Sequence, residues 1–155
     1  MSKEPQPRKV IAVPLESVLA ELGELRKYIE ALQAQIDQVS SELEDVIASR
    51  NLISELKTSK PDELFMPSDR RGLVLIRAKP LSKDKVVIHV GVNYYVEMGL
   101  EEAMEVLSRI EREGKEVLAT LQRELNNALT YYQQLQGLVS QALSRRGGTG
   151  VSKST

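Results

Sequence analysis

Apolar residues stepping alternately by three and four run unbroken through the first third of the chain: Leu15, Val18, Leu22, Leu25, Ile29, Leu32, Ile36, Val39, Leu43 and Val46. A period of 3.5 sustained over about five heptads aligns these side chains along one seam of an α-helix, and only another helix can cover such a seam over that length. Glu, Gln, Ser and Lys fill most positions in between, so the stripe is narrow and suits a coiled coil rather than a broad globular core. Pro14 suits the first helical position. Arg50 interrupts the seam, Ile53 and Leu56 resume it, and Lys60-Pro61 ends it, because proline disfavours helical geometry in the residue before it.

The C-terminal part carries the second such helix. Gly99 serves as its cap, with Glu101 and Glu102 in the first turn where the helix dipole favours negative charge. Its seam reads Leu100, Ala103, Leu107, Ile110, Gly114, Leu118, Leu121, Leu125, Ala128, Tyr132, Leu135, Val139 and Ala142. The two successive four-residue steps around Gly114 form a stutter, which relaxes the left-handed supercoil locally. The expected helices, about 43 and 46 residues, would be roughly 65 and 69 Å long at 1.5 Å per residue, and near-equal lengths imply an antiparallel hairpin. Aromatics make up only 4% and Trp is absent, in keeping with a seam rather than a large core. The fold class is therefore mainly α with a small β-region: a long antiparallel two-helix coiled coil with two β-hairpins between the helices. The expected divisions are a flexible segment 1–13, helix 14–60, β-region 61–99, helix 100–146 and a disordered tail 147–155.

Between the helices the period drops from 3.5 to 2, and β-branched residues replace Ala and Leu. Strands are expected at Glu63–Met66, Leu73–Ala78, Val86–Val90 and Tyr94–Met98, giving two hairpins in a four-stranded sheet. A sheet this small cannot cover both of its faces. The β-region is therefore expected to be an oligomerisation platform, with Leu73, Leu75, Val86, Ile88, Val90, Tyr94 and Val96 at the interface.

Catalytic chemistry finds no foothold. The 21 basic and 22 acidic residues leave no broad field for phosphates, and the basic residues of the helices alternate with Glu, against nucleic-acid binding. Lacking Cys, the chain has no disulfides, thiolate nucleophiles or Cys-ligated zinc. His89 stands alone in a strand, which makes a poor metal site. Glu42 with Asp45, and Glu101, Glu102 and Glu105, read as solvated coiled-coil flanks rather than paired catalytic carboxylates. Gly147–Thr155 resembles a phosphate loop only superficially: Ser152 occupies the glycine position before lysine, and no helix follows. Arg70-Arg71 and Arg145-Arg146 read as a polar turn and a helix end. The expectation is a non-enzyme with no cofactor, no metal, no nucleic acid and no membrane partner. With no spanning helix or signal peptide in view, it is expected in the cytoplasm.

The helix ends carry more apolar residues than a solvated end needs: Ile11, Val13, Leu15, Val18, Leu19 and Leu22 on one side, Leu135, Leu138, Val139, Ala142 and Leu143 on the other. Leu19, Leu138 and Leu143 lie beside the seam and widen it. Such ends could hold apolar segments weakly and with little sequence preference, usefully only in multiples.

A long helix, two hairpins and a second long helix in this length resemble the alpha subunits of the prefoldin family. The local resemblance lies in Glu63-Leu64-Phe65-Met66-Pro67, in Val86-Val87-Ile88-His89-Val90-Gly91-Val92, and in Leu100-Glu101-Glu102-Ala103-Met104-Glu105. Tyr94-Tyr95 departs from the smaller residues expected there, and Gly99 from the usual polar cap. The resemblance implies an ATP-independent holdase chaperone: a heterohexamer of two alpha and four smaller prefoldin beta subunits, hairpins joined in a central barrel. It also implies unfolded client proteins held at the coiled-coil tips and passed to a group II chaperonin. The alternative is a scaffold or tether whose tips dock one defined protein, for which charged, patterned tips would be expected in place of aliphatic ones.

Overall fold

The structure, a computed structural model, describes residues 14–147, and side chains as far as Arg145. Helix α1 (Leu15–Ser59) and helix α2 (Leu100–Gly147) run for 45 and 48 residues. Strands β1 (Leu64–Pro67), β2 (Leu75–Ala78), β3 (Lys85–Gly91) and β4 (Tyr94–Gly99) lie between them in sequence. Pro14 sits one position before the first helical residue: its carbonyl accepts from the N–H groups of Ser17 (3.0 Å) and Val18 (3.3 Å), which is the work of a cap. At the other end of α1, Lys60 takes a left-handed φ of 41° just before Pro61.

The chain divides into two units, one made of the residues up to Ile36 with those from Thr120 onward, the other of Asp37–Ala119. In the helix-terminal unit, Ile29, Leu32 and Ala128 are buried, with Leu25, Leu121, Leu125, Leu129 and Tyr132 packed around them. Its helices run antiparallel, since Tyr28 meets Glu124 whereas the earlier Glu21 meets the later Tyr131. In the β-bearing unit the core is Ile53, Met98, Ala103 and Leu107, flanked by Val46, Val86, Ile88, Leu100, Met104 and Val106. Among the described residues, every buried apolar one except Met98 belongs to one of the two heptad stripes.

The stutter and the interruption have structural counterparts. A Cβ built on Gly114 would lie 2.8 Å from Leu43 Cδ2 and 3.2 Å from its Cγ, so glycine makes room for a buried leucine across the seam. Arg50 meets Glu111, which is nearly buried and also bound by Lys115 at 2.9 Å. Glu111, not its neighbour Ile110, fills the buried position of that layer.

The strands form two separate two-stranded antiparallel sheets, β1–β2 and β3–β4, in place of the expected single four-stranded sheet. Each hairpin is fastened to the helices by its own attachment. Val86, Ile88 and Met98 of the second hairpin pack on the helix core. The first is tied to α1 through Arg70, whose guanidinium donates to Asp45 Oδ2 (2.7 Å) and Ser41 Oγ (2.8 Å). The strand expected from Leu73 starts at Leu75, because Asp69 closes residues 68–74 into a loop: its Oδ1 accepts from the N–H groups of Arg71 (2.8 Å) and Leu73 (3.3 Å), and Ser68 N–H donates to Val74 O (3.0 Å). Val92 and Asn93 both take positive φ in the tight turn joining β3 to β4.

Candidate functional site

Strand alternation assigns each face of the hairpins. In the second hairpin the register pairs Val86 with Met98 and Ile88 with Val96, and the opposite face pairs Val87 with Glu97 and His89 with Tyr95. The first face turns toward the helices, so Val86 and Ile88 are half-buried within the chain's own core. The opposite face has no cover: Val87 is exposed, and His89 stacks obliquely on Tyr95 with ring centroids 5.0 Å apart. In the first hairpin Phe65 pairs with Arg77 and Met66 with Ile76, and the Arg77 guanidinium lies 5.5 Å from the Phe65 ring centroid.

Of the residues expected at an interface, Leu73, Leu75, Val90, Tyr94 and Val96 are exposed, Leu73 at 76% and Tyr94 at 73%. Val86 and Ile88 are not brought to the same surface. Residues that sequence reasoning left out join it: Phe65, Val74, Ile76, Leu81, Val87, Val92 and Tyr95 are all exposed. The signal was present in the alternation, because assigning Ile88 to the helix-facing side puts Val87 on the other. Apolar side chains thus stand uncovered on both faces of the hairpins: Phe65 and Ile76 on opposite faces of the first, and Val96, across from Ile88, and Tyr95, across from His89, on opposite faces of the second.

Charged contacts hold the loops that carry this surface. Lys83 bonds Asp62 and approaches the carbonyl of Lys60, tying the β2–β3 loop to the end of α1. That hydrogen bond and the ammonium charge hold the Asp62 carboxyl below its ordinary value. Asp69 is held low first by the Leu73 N–H it accepts from, with desolvation opposing and the Arg71 N–H adding to the lowering. Asp45 raises Arg70 still further. Glu111 is lowered first by its hydrogen bond from Lys115 and then by the charge of Arg50, with desolvation opposing.

The helix-end residues divide in two. Val18 and Leu135 are buried in the seam, and Leu15, Leu22, Val139 and Ala142 are half-buried. Leu19 (50%), Leu138 (55%) and Leu143 (55%) stand exposed beside the seam. Ile11, Val13 and the tail 148–155 lie outside the described residues. Two contacts that sequence reasoning missed cross this unit: Tyr28 Oη donates to Glu124 Oε2 (3.4 Å), and Tyr131 Oη donates to Glu21 Oε1, which raises the Tyr131 phenol.

Among the described residues no three His, Cys, Asp or Glu side chains come together as a metal site, and no helix is long and apolar enough to cross a membrane. What the described residues offer is uncovered apolar side chains on the hairpins and beside the helix seam.

Comparison with known proteins places this arrangement. The prefoldin subunit family profile matches residues 25–145. The chain is 33% identical to prefoldin subunit alpha of Sulfurisphaera tokodaii, with 92% of each chain covered. It is 31% identical to prefoldin subunit alpha of Metallosphaera sedula, covering 88% of this chain and 94% of that one. Among solved structures, a chain from the cryo-EM structure of filamentous PFD from Methanocaldococcus jannaschii shares the fold, with a TM-score of 0.58 at 19% identity, over 81% of this chain and 98% of that chain.

Proposed function

The chain belongs to the prefoldin family, and we propose that it is the alpha-type subunit of an ATP-independent holdase chaperone working in the cytoplasm. Two copies of this chain and four smaller beta subunits assemble through their hairpins. Non-native proteins are held at the helix ends and passed to a group II chaperonin. No step of this cycle calls for a catalytic residue or a cofactor in this chain.

The observation that carries the reading is the uncovered apolar surface of the hairpins. Both helix seams are closed within the chain, yet Phe65, Leu75, Ile76, Val87, Tyr94 and Tyr95 stand in solvent. Covering an aliphatic or aromatic side chain contributes about 1.5–3 kcal/mol, so a few per chain supply a stable assembly once neighbours cover them. Exposed Leu19, Leu138 and Leu143 support the holding role, since isolated leucines bind apolar segments weakly and a hexamer presents several sets at once.

Native mass spectrometry of the complex isolated from its own cells tests assembly. Two copies of this chain with four of a smaller subunit are expected; a homodimer, or one stoichiometric globular partner, would replace the reading with a tether. Holding is tested by suppression of client aggregation without nucleotide. Leu19→Ser, Leu138→Ser and Leu143→Ser combined should abolish suppression and leave the hexamer intact, and full suppression by that variant would refute the assignment of the helix ends.

A further inference from the structure

Each helix of the helix-terminal unit carries a glutamate and a tyrosine one heptad apart: Glu21 and Tyr28 on α1, Glu124 and Tyr131 on α2. Because the helices run antiparallel, the tyrosine of each reaches the glutamate of the other, giving the pairs Tyr28–Glu124 and Tyr131–Glu21. The two contacts are related by an approximate two-fold axis across the seam.

A one-heptad step keeps residues on one face of a helix, so Glu124, Tyr131 and Leu138 share a strip along α2. Leu19 stands just before Glu21 on α1. Both tyrosine rings are about half-exposed and lie at the edge of the seam, where the hydroxyl reaches a carboxylate on the facing helix. Helix ends fray unless something holds them, and the seam here includes the small Ala128 and Ala142. Glu21 also raises the Tyr131 phenol, keeping the donor proton in place well above neutral pH.

We propose that Glu21, Tyr28, Glu124 and Tyr131 form a reciprocal clasp that fixes the helix ends in register and so positions Leu19, Leu138 and Leu143 for contact with non-native chains. The positioning role rests on the holdase reading; the clasp itself does not. These four are positioning residues, since the leucines make the contact.

The test uses the assembled complex carrying Tyr28→Phe and Tyr131→Phe, which remove both hydroxyls and keep both rings. Backbone amide exchange in the first turns of α1 and the last turns of α2 should rise about 2- to 10-fold for each hydroxyl lost, with exchange in the hairpins unchanged. Client holding should weaken in parallel. In the Tyr28→Phe background, exchanging the partners of the other pair, Glu21→Tyr with Tyr131→Glu, should bring exchange and client holding back to the level of Tyr28→Phe alone, which separates a specific contact from general destabilisation. Unchanged exchange in the double Phe variant overturns the clasp. Faster exchange with undiminished client holding overturns the positioning role. If the unmodified complex fails to hold clients, the holdase reading falls and the positioning role with it, and the exchange comparison still decides the clasp.

Discussion

Three helix-interior glycines differ in one respect that can be measured. A methyl group on Gly23 or Gly137 would meet nothing within 4 Å, whereas on Gly114 it would sit 2.8 Å from Leu43 Cδ2 and 3.2 Å from Leu43 Cγ. Replacing glycine by alanine inside a helix favours the helix by about 1 kcal/mol. Gly23→Ala and Gly137→Ala should therefore each stabilise the chain by about that amount, raising Tm by roughly 2–4 °C in a protein of this size. Gly114→Ala gains the same propensity but drives a methyl into a packed layer, which costs about 1–3 kcal/mol. The Cδ2 atom alone could swing aside; Cγ cannot without moving the buried Leu43 stem, so the clash dominates. The net is a loss of about 0–2 kcal/mol, and Gly114→Ala should fall about 1–3 kcal/mol below the two controls. Thermal melts of the assembled protein followed by circular dichroism read the order directly. If Gly114→Ala stabilises as much as Gly23→Ala, the close approach of the helices at Leu43 is wrong.

Further outcomes are expected. Val87→Asp should prevent assembly while leaving the helical content and melting of the chain intact; Ile88→Asp should damage the chain itself, because Ile88 packs on the helix core, and comparable melts for the two would contradict the face assignment. Arg70→Ala should speed amide exchange in β1 and β2 only, since the guanidinium is what ties that hairpin to Ser41 and Asp45, and a charge-reversed pair, Arg70→Asp with Asp45→Arg, should restore protection. Asp62 and Asp69 have folded values below the ordinary 3.8, so their contribution is complete above that pH and is lost as pH falls through the lower folded values. Acid unfolding should accordingly be less steep in Asp62→Asn and Asp69→Asn, and an unaltered profile would remove both from the account. Tyr131 is raised, so its contribution is present below the ordinary 10.0 and lost as pH rises through the higher folded value. Tyrosinate absorbance, clean in a chain without Trp, should show a late-titrating phenol that is lost in Tyr131→Phe and shifted downward by Glu21→Gln.

The heptads were legible because a seam side chain has only one place to go, and Val18, Ile29, Leu32, Leu43, Ile53, Leu107, Ala128 and Leu135 are buried as their spacing requires. Arg50 was legible as an interruption but not as half of an ion pair. Its partner sits far away in sequence, and an isolated Glu among many gives no sign that it faces inward; the usable clue was that a cation in a seam needs an anion in the facing layer. The hairpins followed from alternation, yet their separation did not. Whether β2 and β3 pair depends on what each hairpin is fastened to, and the Arg70 contact with α1 leaves no trace in local periodicity. Leu73 read as strand because it is apolar and followed by Val74, Leu75 and Ile76, whereas the Asp69 carboxylate had already claimed the backbone for a loop. At the helix ends, the spacing already set Leu19, Leu138 and Leu143 beside the seam, and they stand exposed where Val18 and Leu135 of the seam are buried.

No large side chain among the described residues is completely buried. A seam one residue deep is built like a ladder, in which each rung bears on the next and on little else. Facing rungs can then be added or removed in sets of one heptad from each helix, changing reach by about 10 Å at 1.5 Å per residue, without disturbing the hairpins. A deletion that takes one heptad from each helix of the helix-terminal unit should therefore leave the remaining layers of that seam in register, where the loss of three or four residues from one helix alone would not.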